Sequence, residues 1–346
     1  MKKVNILLSF TIASFLMAGL IFSSPAQAAA VKKTYRLTFA TQMPLGHLVS
    51  RSADFIVKRA AELSGGKIKI KHFVAGTLFT DKEIPEAAMT GGCSMGIATS
   101  SRWAGHAPTN HFWEIPFLFS NKKQVEAVAD AVIPIIDKEL NPKGGKLLGF
   151  VYYGDADAIG NTKKPVKKPG DLKGLKLRSF SVIVSKALET AGGTPVVMSS
   201  AEVYTAIQRG TIDGGISGTT TFVVRKWMEV VKHVTIVRGM VSYPALPFTL
   251  AINKNVWDRM EPEAQKIMMQ VAKEGWEFSS TEVIKQTEDA INTLKARSNL
   301  KLYQIAFDSG EWKEWRDVMF EPAKKKFLEI GGTSGPKILE IVEKLK

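Results

Sequence analysis

The amino-acid sequence predicts an α/β fold with two similarly built domains, and three observations carry this prediction. Segments with the two-residue period of strands alternate with segments of helical period. A helix end, a glycine and a short strand occur at residues 87–99 and again at 204–218, although a chance match is the alternative. A proline-free stretch from Glu263 to about Arg297 is long enough for a helix that bridges two domains.

The first 28 residues have the features of a secretory signal peptide. Lys2 and Lys3 precede an apolar run at residues 6–22, and residues 26–28 (Ala-Gln-Ala) form a sequence that a signal peptidase accepts. An uncleaved membrane anchor is the alternative, but the run is shorter than the roughly 20 residues that a spanning helix needs. We therefore expect cleavage after Ala28 and export to the periplasm of a Gram-negative bacterium.

The chain that follows begins with alternating strands and helices. Alternating apolar residues predict strands at residues 34–41 and 67–76. Each is followed by a helix, at about residues 50–66 and 82–90, and a glycine pair ends both helices. This order predicts a mainly parallel sheet.

A later strand, within "PGDLKGLKLRSF" (residues 169–180), ends on an arginine. Leu175 and Leu177 alternate with Lys176 and Arg178, which is the period of a strand. An arginine at a strand end is either a solvated surface charge or an anion-binding group at the mouth of a sheet. The local sequence leaves both interpretations open.

Charge and composition exclude several kinds of partner. The net charge is +14, but the densest basic stretch, residues 163–178, contains no aromatic residue of the kind that stacks on single-stranded bases. We expect no nucleic-acid partner and a positive field that favours small anions. Cys93 is the only cysteine, so no intrachain disulfide is possible, and we expect a small buried residue and not a nucleophile.

Motifs for catalysis or metal binding are absent from the sequence. The five histidines do not have metal-ligand spacing, and neither a GxSxG elbow, a phosphate loop nor a GxGxxG after a strand occurs. We expect no enzyme activity, no metal and no cofactor. A hydrolase with scattered catalytic residues is the alternative.

Five stretches, in order along the chain, resemble the DctP-like solute-binding proteins of tripartite ATP-independent periplasmic (TRAP) transporters. They are "PLGH" (44–47), "SGGKIKIKHFVAGTL" (64–78), "EIPFLF" (114–119), "DLKGLKLR" (171–178) and "GGTPVVMSSAEVYTAIQRGTIDG" (192–214). Each is modest alone, and together they are specific. The resemblance covers nearly all of the chain after the signal peptide.

The resemblance implies a two-lobed periplasmic-binding-protein fold with hinge-crossing segments, a long lobe-spanning helix and a ligand cleft between the lobes. The expected lobe I is residues 29–153 plus about 245–285, and lobe II is 154–244 plus about 286–346. It also implies a protein that does no covalent chemistry, and we expect a monomer. Its partner would be a membrane permease of a small and a large integral-membrane subunit, driven by an ion gradient.

Arg178 takes, by this resemblance, the role of the arginine that binds the ligand carboxylate. Two departures affect the rest of the ligand. Ala156 stands where many relatives have a second arginine, between Asp155 and Asp157, and Ser217 stands where relatives often have a ligand-contacting asparagine. A second anionic anchor is therefore not expected.

Further ligand-binding residues are predicted in segments that line the cleft of relatives, although core packing is the alternative for each aromatic residue. They are His47, Thr99, Arg102, Trp103, Phe180, Phe222 and Tyr243, and Trp227 and Phe248 are further aromatic residues of these segments. The set favours a monocarboxylate with an apolar or aromatic body. A C4-dicarboxylate, with Arg102 or a lysine at its far carboxylate, is the alternative ligand; an ABC-type or sensor-associated binding protein is the alternative class.

Overall fold

The computed structural model describes residues 31–154, 156–241 and 246–346, which form two β-sheets surrounded by helices. The predicted signal peptide lies outside the described residues. The first sheet, sheet A, has the strand order β2-β1-β3-β10-β4. Its strands are β1 (Tyr35–Thr41), β2 (Ile68–Phe73), β3 (Met95–Thr99), β4 (Gly145–Tyr152) and β10 (Pro247–Asn253).

The second sheet, sheet B, has the strand order β11-β9-β5-β8-β6-β7. Its strands are β5 (Asp157–Asn161), β6 (Lys176–Ser179), β7 (Thr194–Val197), β8 (Gly214–Gly218), β9 (His233–Val237) and β11 (Lys301–Ile305). The chain leaves sheet A after β4, returns to it for β10 and enters sheet B again for β11. The prediction of a two-lobed α/β fold with several crossings is thus confirmed.

Sheet B repeats the arrangement of sheet A and adds β11 at one edge. In sheet A, β1 runs parallel to β2 and β3, and β10 runs antiparallel to β3 and β4. In sheet B, β6 runs parallel to β7 and β8, and β5 runs antiparallel to β8 and β9. Gly96 pairs with Ala40, and Gly215 pairs with Arg178. Arg178 therefore occupies in sheet B the place that Ala40 has in sheet A.

The helices that surround the sheets differ widely in length. They are α1 (Leu48–Leu63), α2 (Ile84–Thr90), α3 (Lys122–Leu140), α4 (Val182–Thr190), α5 (Val203–Gln208), α6 (Thr219–Val224), α7 (Lys254–Asp258), α8 (Pro262–Lys295), α9 (Gly310–Ile330) and α10 (Gly335–Lys344). The repeated sequence pattern corresponds to α2 with β3 and α5 with β8, which hold equivalent places in the two sheets.

The long helix α8 contacts both halves of the molecule, as predicted. Its 34 residues span about 51 Å at about 1.5 Å per residue. It packs on α1 and β4 beside sheet A and on α6 beside sheet B. Gly275 allows the close approach of α1, because a β-carbon there would lie 2.7 Å from the Ile56 side chain.

Two helices near the carboxyl terminus were not predicted. α9 packs against α4, and α10 packs against α3, which itself contacts β4 of sheet A. The predicted lobe boundaries stay a prediction. Within the described ranges, no helix is long and apolar enough to cross a bilayer, and no group of three or more His, Cys, Asp and Glu is arranged to hold a metal ion.

Candidate functional site

Arg178 lies near the carboxyl end of β6, in the interior of sheet B, with only 4% of its surface exposed. Its Nε donates a hydrogen bond to the backbone oxygen of Met198, and its Nη1 donates one to that of Ile216, both over 3.0 Å. These two bonds fix the plane of the guanidinium group. Nη2 has no hydrogen-bond partner among the described residues.

Two aromatic rings flank this guanidinium group. Its central carbon lies 5.4 Å from the ring centroid of Phe180 and 5.5 Å from that of Trp227. Cation–π contacts of this kind stabilise a desolvated cation by about 2 kcal/mol. The rings therefore offset part of the cost of burying a positive charge and keep water away from it.

The charge of Arg178 is buried without a carboxylate partner in the described part of the chain. Burial lowers the pKa of Arg178 to about 10, and the neighbouring Tyr153 and Asp81 oppose that shift. The guanidinium group is therefore still positively charged at neutral pH, although it has lost most of its hydration. Such a group favours an anionic ligand, because a carboxylate supplies the missing acceptors and charge.

The facing wall of the site is built around Tyr153, the residue after β4. Its ring stacks on Phe248, with centroids 4.7 Å apart and an interplanar angle of 4°, and on His47, with centroids 5.0 Å apart. Its hydroxyl group forms hydrogen bonds with Ser217 Oγ over 2.8 Å and with Thr221 Oγ1. Tyr153 therefore links sheet A to β8 and α6 of the sheet-B side.

A small cavity of about 20 Å³ lies between these walls. Its lining residues are Gln42, Met43, Thr99, Tyr153, Arg178, Phe180, Ser200, Ser217, Leu246 and Phe248. This volume has room for about one water, far below the roughly 300 Å³ of an ordinary small-molecule site, so the walls must move apart before a ligand can enter. Among the described residues that line it, Arg178 is the one with a charged side chain.

A polar cluster lies next to Arg178 on the sheet-A side. Arg102 Nε donates to Asp81 Oδ2 over 2.7 Å, and Thr99 Oγ1 donates to Asp81 Oδ1 over 3.4 Å. Glu114 is fully buried, and its Oε1 accepts a hydrogen bond from the Ser101 backbone nitrogen over 3.3 Å. Burial raises the pKa of Glu114 to about 6, against the opposing effect of hydrogen bonds and of Arg102.

His47 precedes α1 and is fully buried. Its Nδ1 accepts a hydrogen bond from the Val49 backbone nitrogen over 3.2 Å, which caps the helix. Burial, assisted by the nearby charge of Arg225, lowers the pKa of His47 to about 3. The ring is therefore neutral at physiological pH, with its proton on Nε2.

Four of the nine predicted ligand-binding residues line the cavity: Arg178, Phe180, Thr99 and Ser217. His47 lies behind Tyr153, and the Arg102 side chain is paired with Asp81. Tyr243, like Asp155, lies outside the described residues. For every one of these residues, a role in ligand binding stays a prediction.

Trp103 and Phe222 are not among the lining residues of this cavity. Both are fully buried in the core, and Phe222 packs on Trp227 and against Gly160, where a β-carbon would lie 2.3 Å from its ring. This is the core packing that the sequence left open for each aromatic residue. Ala156 is fully buried, and Asp157 Oδ2 accepts a hydrogen bond from the Val241 backbone nitrogen over 2.6 Å.

Phe248, an aromatic residue expected in the cleft segments, also lines the cavity. The sequence analysis did not single out the other five lining residues, which are Gln42, Met43, Tyr153, Ser200 and Leu246. Gln42, Met43 and Tyr153 directly follow the strands β1 and β4, and ligands in α/β sheets lie beyond the carboxyl ends of strands. That rule, applied to the predicted strand at residues 34–41, would have identified Gln42 and Met43. Tyr153 follows β4, which was not among the predicted strands.

Comparison with known proteins gives a family for this fold and site. The model of the family described as "Bacterial extracellular solute-binding protein, family 7" (DctP) matches residues 39–329. A solute-binding protein of Verminephrobacter eiseniae is 30% identical over 273 residues, which are 78% of this chain and 79% of that protein.

Two further similar proteins have named ligands. The 2,3-diketo-L-gulonate-binding periplasmic protein YiaO of Escherichia coli is 27% identical over 290 residues, 83% of this chain and 85% of YiaO. A TRAP periplasmic solute-binding protein from Sulfurospirillum deleyianum, solved with bound succinate, superposes with a TM-score of 0.79 at 24% identity, over 91% of this chain and all of that one. The structural likeness supports the shared fold.

Proposed function

The chain belongs to family 7 of the bacterial extracellular solute-binding proteins, the DctP-like proteins of TRAP transporters, and from this we propose that it captures an organic acid in the periplasm for a membrane permease. Proteins of this family bind solutes for transport and are not enzymes. We accordingly expect binding without chemical turnover. The permease would consist of a small and a large membrane subunit and use an ion gradient.

The carboxylate of the ligand binds, in this proposal, to Arg178. The observation that carries it is a buried, charged guanidinium group at the cavity wall, held by Met198 and Ile216, with no partner for Nη2 among the described residues. Hydrogen bonds to a charged group contribute roughly 1.5–3 kcal/mol each. A carboxylate that accepts from Nη2 would recover part of the cost of burying the charge.

A monocarboxylate is the favoured ligand class. Arg178 is the only charged group among the described lining residues, so a second carboxylate in the cavity would have no cation to face. Met43, Phe180, Leu246 and Phe248 supply apolar surface for the body of the ligand, and hydroxyl groups such as that of Ser217 could bind a keto or hydroxyl oxygen.

A C4-dicarboxylate is the alternative ligand, and the succinate complex of the Sulfurospirillum deleyianum protein keeps it in view. Arg102 would have to bind the far carboxylate. Its guanidinium group pairs with Asp81 through Nε over 2.7 Å, although its buried Nη2 has no hydrogen-bond partner among the described residues. Asp81 already balances the charge of Arg102, and Arg102 is not among the residues that line the cavity. The alternative is therefore the less favoured one.

A thermal-shift screen of carboxylic acids, followed by calorimetry, tests the proposal. The screen compares 2-hydroxybutyrate, 4-methyl-2-oxopentanoate and phenylpyruvate with succinate and malate. We expect the best monocarboxylate to raise the melting temperature by several degrees at 100 times its dissociation constant, since binding then contributes about 2.7 kcal/mol. Stabilisation by succinate or malate alone would reject the monocarboxylate.

Mass spectrometry of the protein after gentle purification identifies a ligand that stays bound. An organic acid in a one-to-one ratio supports the proposal. A cationic amino acid or a neutral sugar as the only specific ligand would refute carboxylate capture at Arg178. Neighbouring genes for a small and a large membrane subunit would favour the TRAP class over ABC-type and sensor-associated binding proteins.

A further inference from the structure

Gln42 belongs to the sheet-A side of the cavity but is held from the sheet-B side. It follows β1 directly and lines the cavity. Its backbone oxygen accepts a hydrogen bond from Arg225 Nη2 over 2.6 Å. Its side-chain Oε1 accepts a longer one from Ser200 Oγ, over 3.4 Å. We call these three residues the cleft clasp.

Arg225 directly follows α6, and α6 directly follows β8 of sheet B. Its side chain is partly buried, and its Nε has no hydrogen-bond partner in the described ranges. The partial burial of Arg225 leaves its charge poorly hydrated and lowers its pKa. The bond to Gln42 is thus a charge-assisted one, of the stronger kind.

The two sheets explain why the bond lies at the ligand cavity. Gly96 pairs with Ala40 in sheet A, and Gly215 pairs with Arg178 in sheet B. Ala40 and Arg178 are therefore equivalent in the two sheets. Two residues further along the chain, Gln42 is the equivalent of Phe180. Both residues line the cavity, one from each side.

We propose that Arg225 is a positioning residue that stabilises the closed cleft by binding the backbone oxygen of Gln42, and so slows the release of the ligand. It does not touch the ligand: its Nη2 is used by Gln42, and Arg225 is not among the lining residues.

This inference rests on the proposed function, because a clasp acts only in a protein whose lobes close on a ligand. The contact itself joins two protein groups and needs no particular ligand. Its effect can therefore be measured before the ligand is known. Arg225→Gln removes the charge, and Arg225→Lys keeps it without the planar fork. Arg209→Gln, an exposed arginine at the end of α5, is the matched control.

The experiment measures the distance between the lobes by single-molecule fluorescence transfer. Dyes are attached to cysteines introduced at Lys58 on α1 and Lys186 on α4, both exposed. Distances are recorded without ligand and with 2-hydroxybutyrate and succinate. In Arg225→Gln we expect the ratio of closed to open molecules to fall about ten- to a hundredfold, the factor of a charge-assisted hydrogen bond. Arg225→Lys should recover part of it, and Arg209→Gln should match the wild type.

Dissociation kinetics give the second readout, with whichever of the two acids binds. We expect faster release in Arg225→Gln with little change in the order of preference among acids. A closed fraction equal to that of the wild type, or a wild type that never closes without ligand, would overturn the inference. If neither acid binds but the closed fraction falls, the clasp stands and the choice of ligand fails. If Arg225→Gln does not fold, the Arg225→Lys variant provides the test. A ratio of closed to open molecules equal to that of the wild type in Arg225→Lys would then overturn the inference.

Discussion

Arg178 donates a hydrogen bond from Nη1 to the backbone oxygen of Ile216 over 3.0 Å, so the side chain that we propose binds the ligand carboxylate is held by the strand next to its own. Together with the bond to Met198, this contact uses two of the three guanidinium nitrogens. The third nitrogen is the one we expect to bind the ligand. The orientation of the site is thus set by sheet B before any ligand arrives.

Replacement of Arg178 should abolish tight binding. Removing one partner of a desolvated charge pair costs about 2–5 kcal/mol, so Arg178→Ala should weaken carboxylate binding by tens to thousands of fold. Arg178→Lys should also bind weakly, because an ammonium group cannot reach both carbonyl oxygens and the ligand in one plane. Calorimetry with the best acid of the screen measures this. The control is Arg209→Ala, and equal affinities in all three variants would contradict the role of Arg178.

The hydroxyl group of Tyr153 should contribute to stability. Tyr153→Phe keeps the ring between His47 and Phe248 but leaves the hydroxyls of Ser217 and Thr221 without this partner. A buried group left unsatisfied costs about 1–3 kcal/mol. Urea denaturation should detect that loss. Tyr204→Phe, whose hydroxyl group has only an exposed 3.5 Å contact with Glu229, should change stability little.

Gly218 should not tolerate a side chain. A β-carbon at Gly218 would lie 2.7 Å from Cε1 of Tyr153, whose ring is fixed by stacking on both faces. Overpacking of this kind costs about 1–3 kcal/mol, so we expect Gly218→Ala to lower the free energy of unfolding by that amount. Gly170→Ala is the control, since nothing lies within 4 Å of its added carbon. Equal unfolding midpoints for Gly218→Ala and the wild type would contradict this prediction and show that the Tyr153 ring can shift.

Stability should fall as the pH drops below about 6.5. The pKa of His47 is 6.5 in the unfolded chain and about 3 in the folded protein, so between these values only the unfolded chain takes up the proton. The contribution of neutral His47 to the free energy of unfolding is complete above pH 6.5. It is lost as the pH falls towards 3, by at most about 1.4 kcal/mol per pH unit. His111, whose burial lowers its pKa to about 4, acts in the same direction.

His47→Asn isolates the contribution of His47, because asparagine can cap α1 but does not titrate. Denaturation at pH 7.5, 6.5, 5.5 and 4.5 should give a shallower pH dependence for the variant. Glu114 works against the trend between pH 4.5 and 6, since its raised pKa makes the folded protein take up a proton there. Parallel curves for variant and wild type would contradict the burial of a neutral His47.

The thiol of Cys93 should be unreactive in the folded protein. Cys93 is 2% exposed, and burial raises its pKa to about 11. Because the thiolate is the reactive form, we expect no labelling by a disulfide reagent at pH 8 and full labelling in denaturant. Rapid labelling of the native protein would show that this part of sheet A opens.

The fold class and the order of the main elements could be predicted from the local sequence pattern. The alternation of strands and helices, the repeat at residues 87–99 and 204–218 and the uninterrupted stretch from Glu263 each express backbone preferences that act over a few residues. They correctly gave an α/β class, two similar halves and α8. α9 was not predicted, and Pro322 within it is a residue that local rules place outside helices.

The sequence by itself determined that Arg178 lies near the end of a strand, and it left open whether that arginine faces solvent or a ligand. The tertiary structure decided its surroundings. Strands distant in sequence bring Ile216, Met198 and Trp227 to its guanidinium group, and Gln42 and Tyr153 to the opposite wall. Burial, pairing and shared cavities depend on contacts between residues far apart in the chain, and no local periodicity encodes those contacts. The sequence likewise did not show that Arg102 pairs with Asp81, because that contact also forms only in the folded chain.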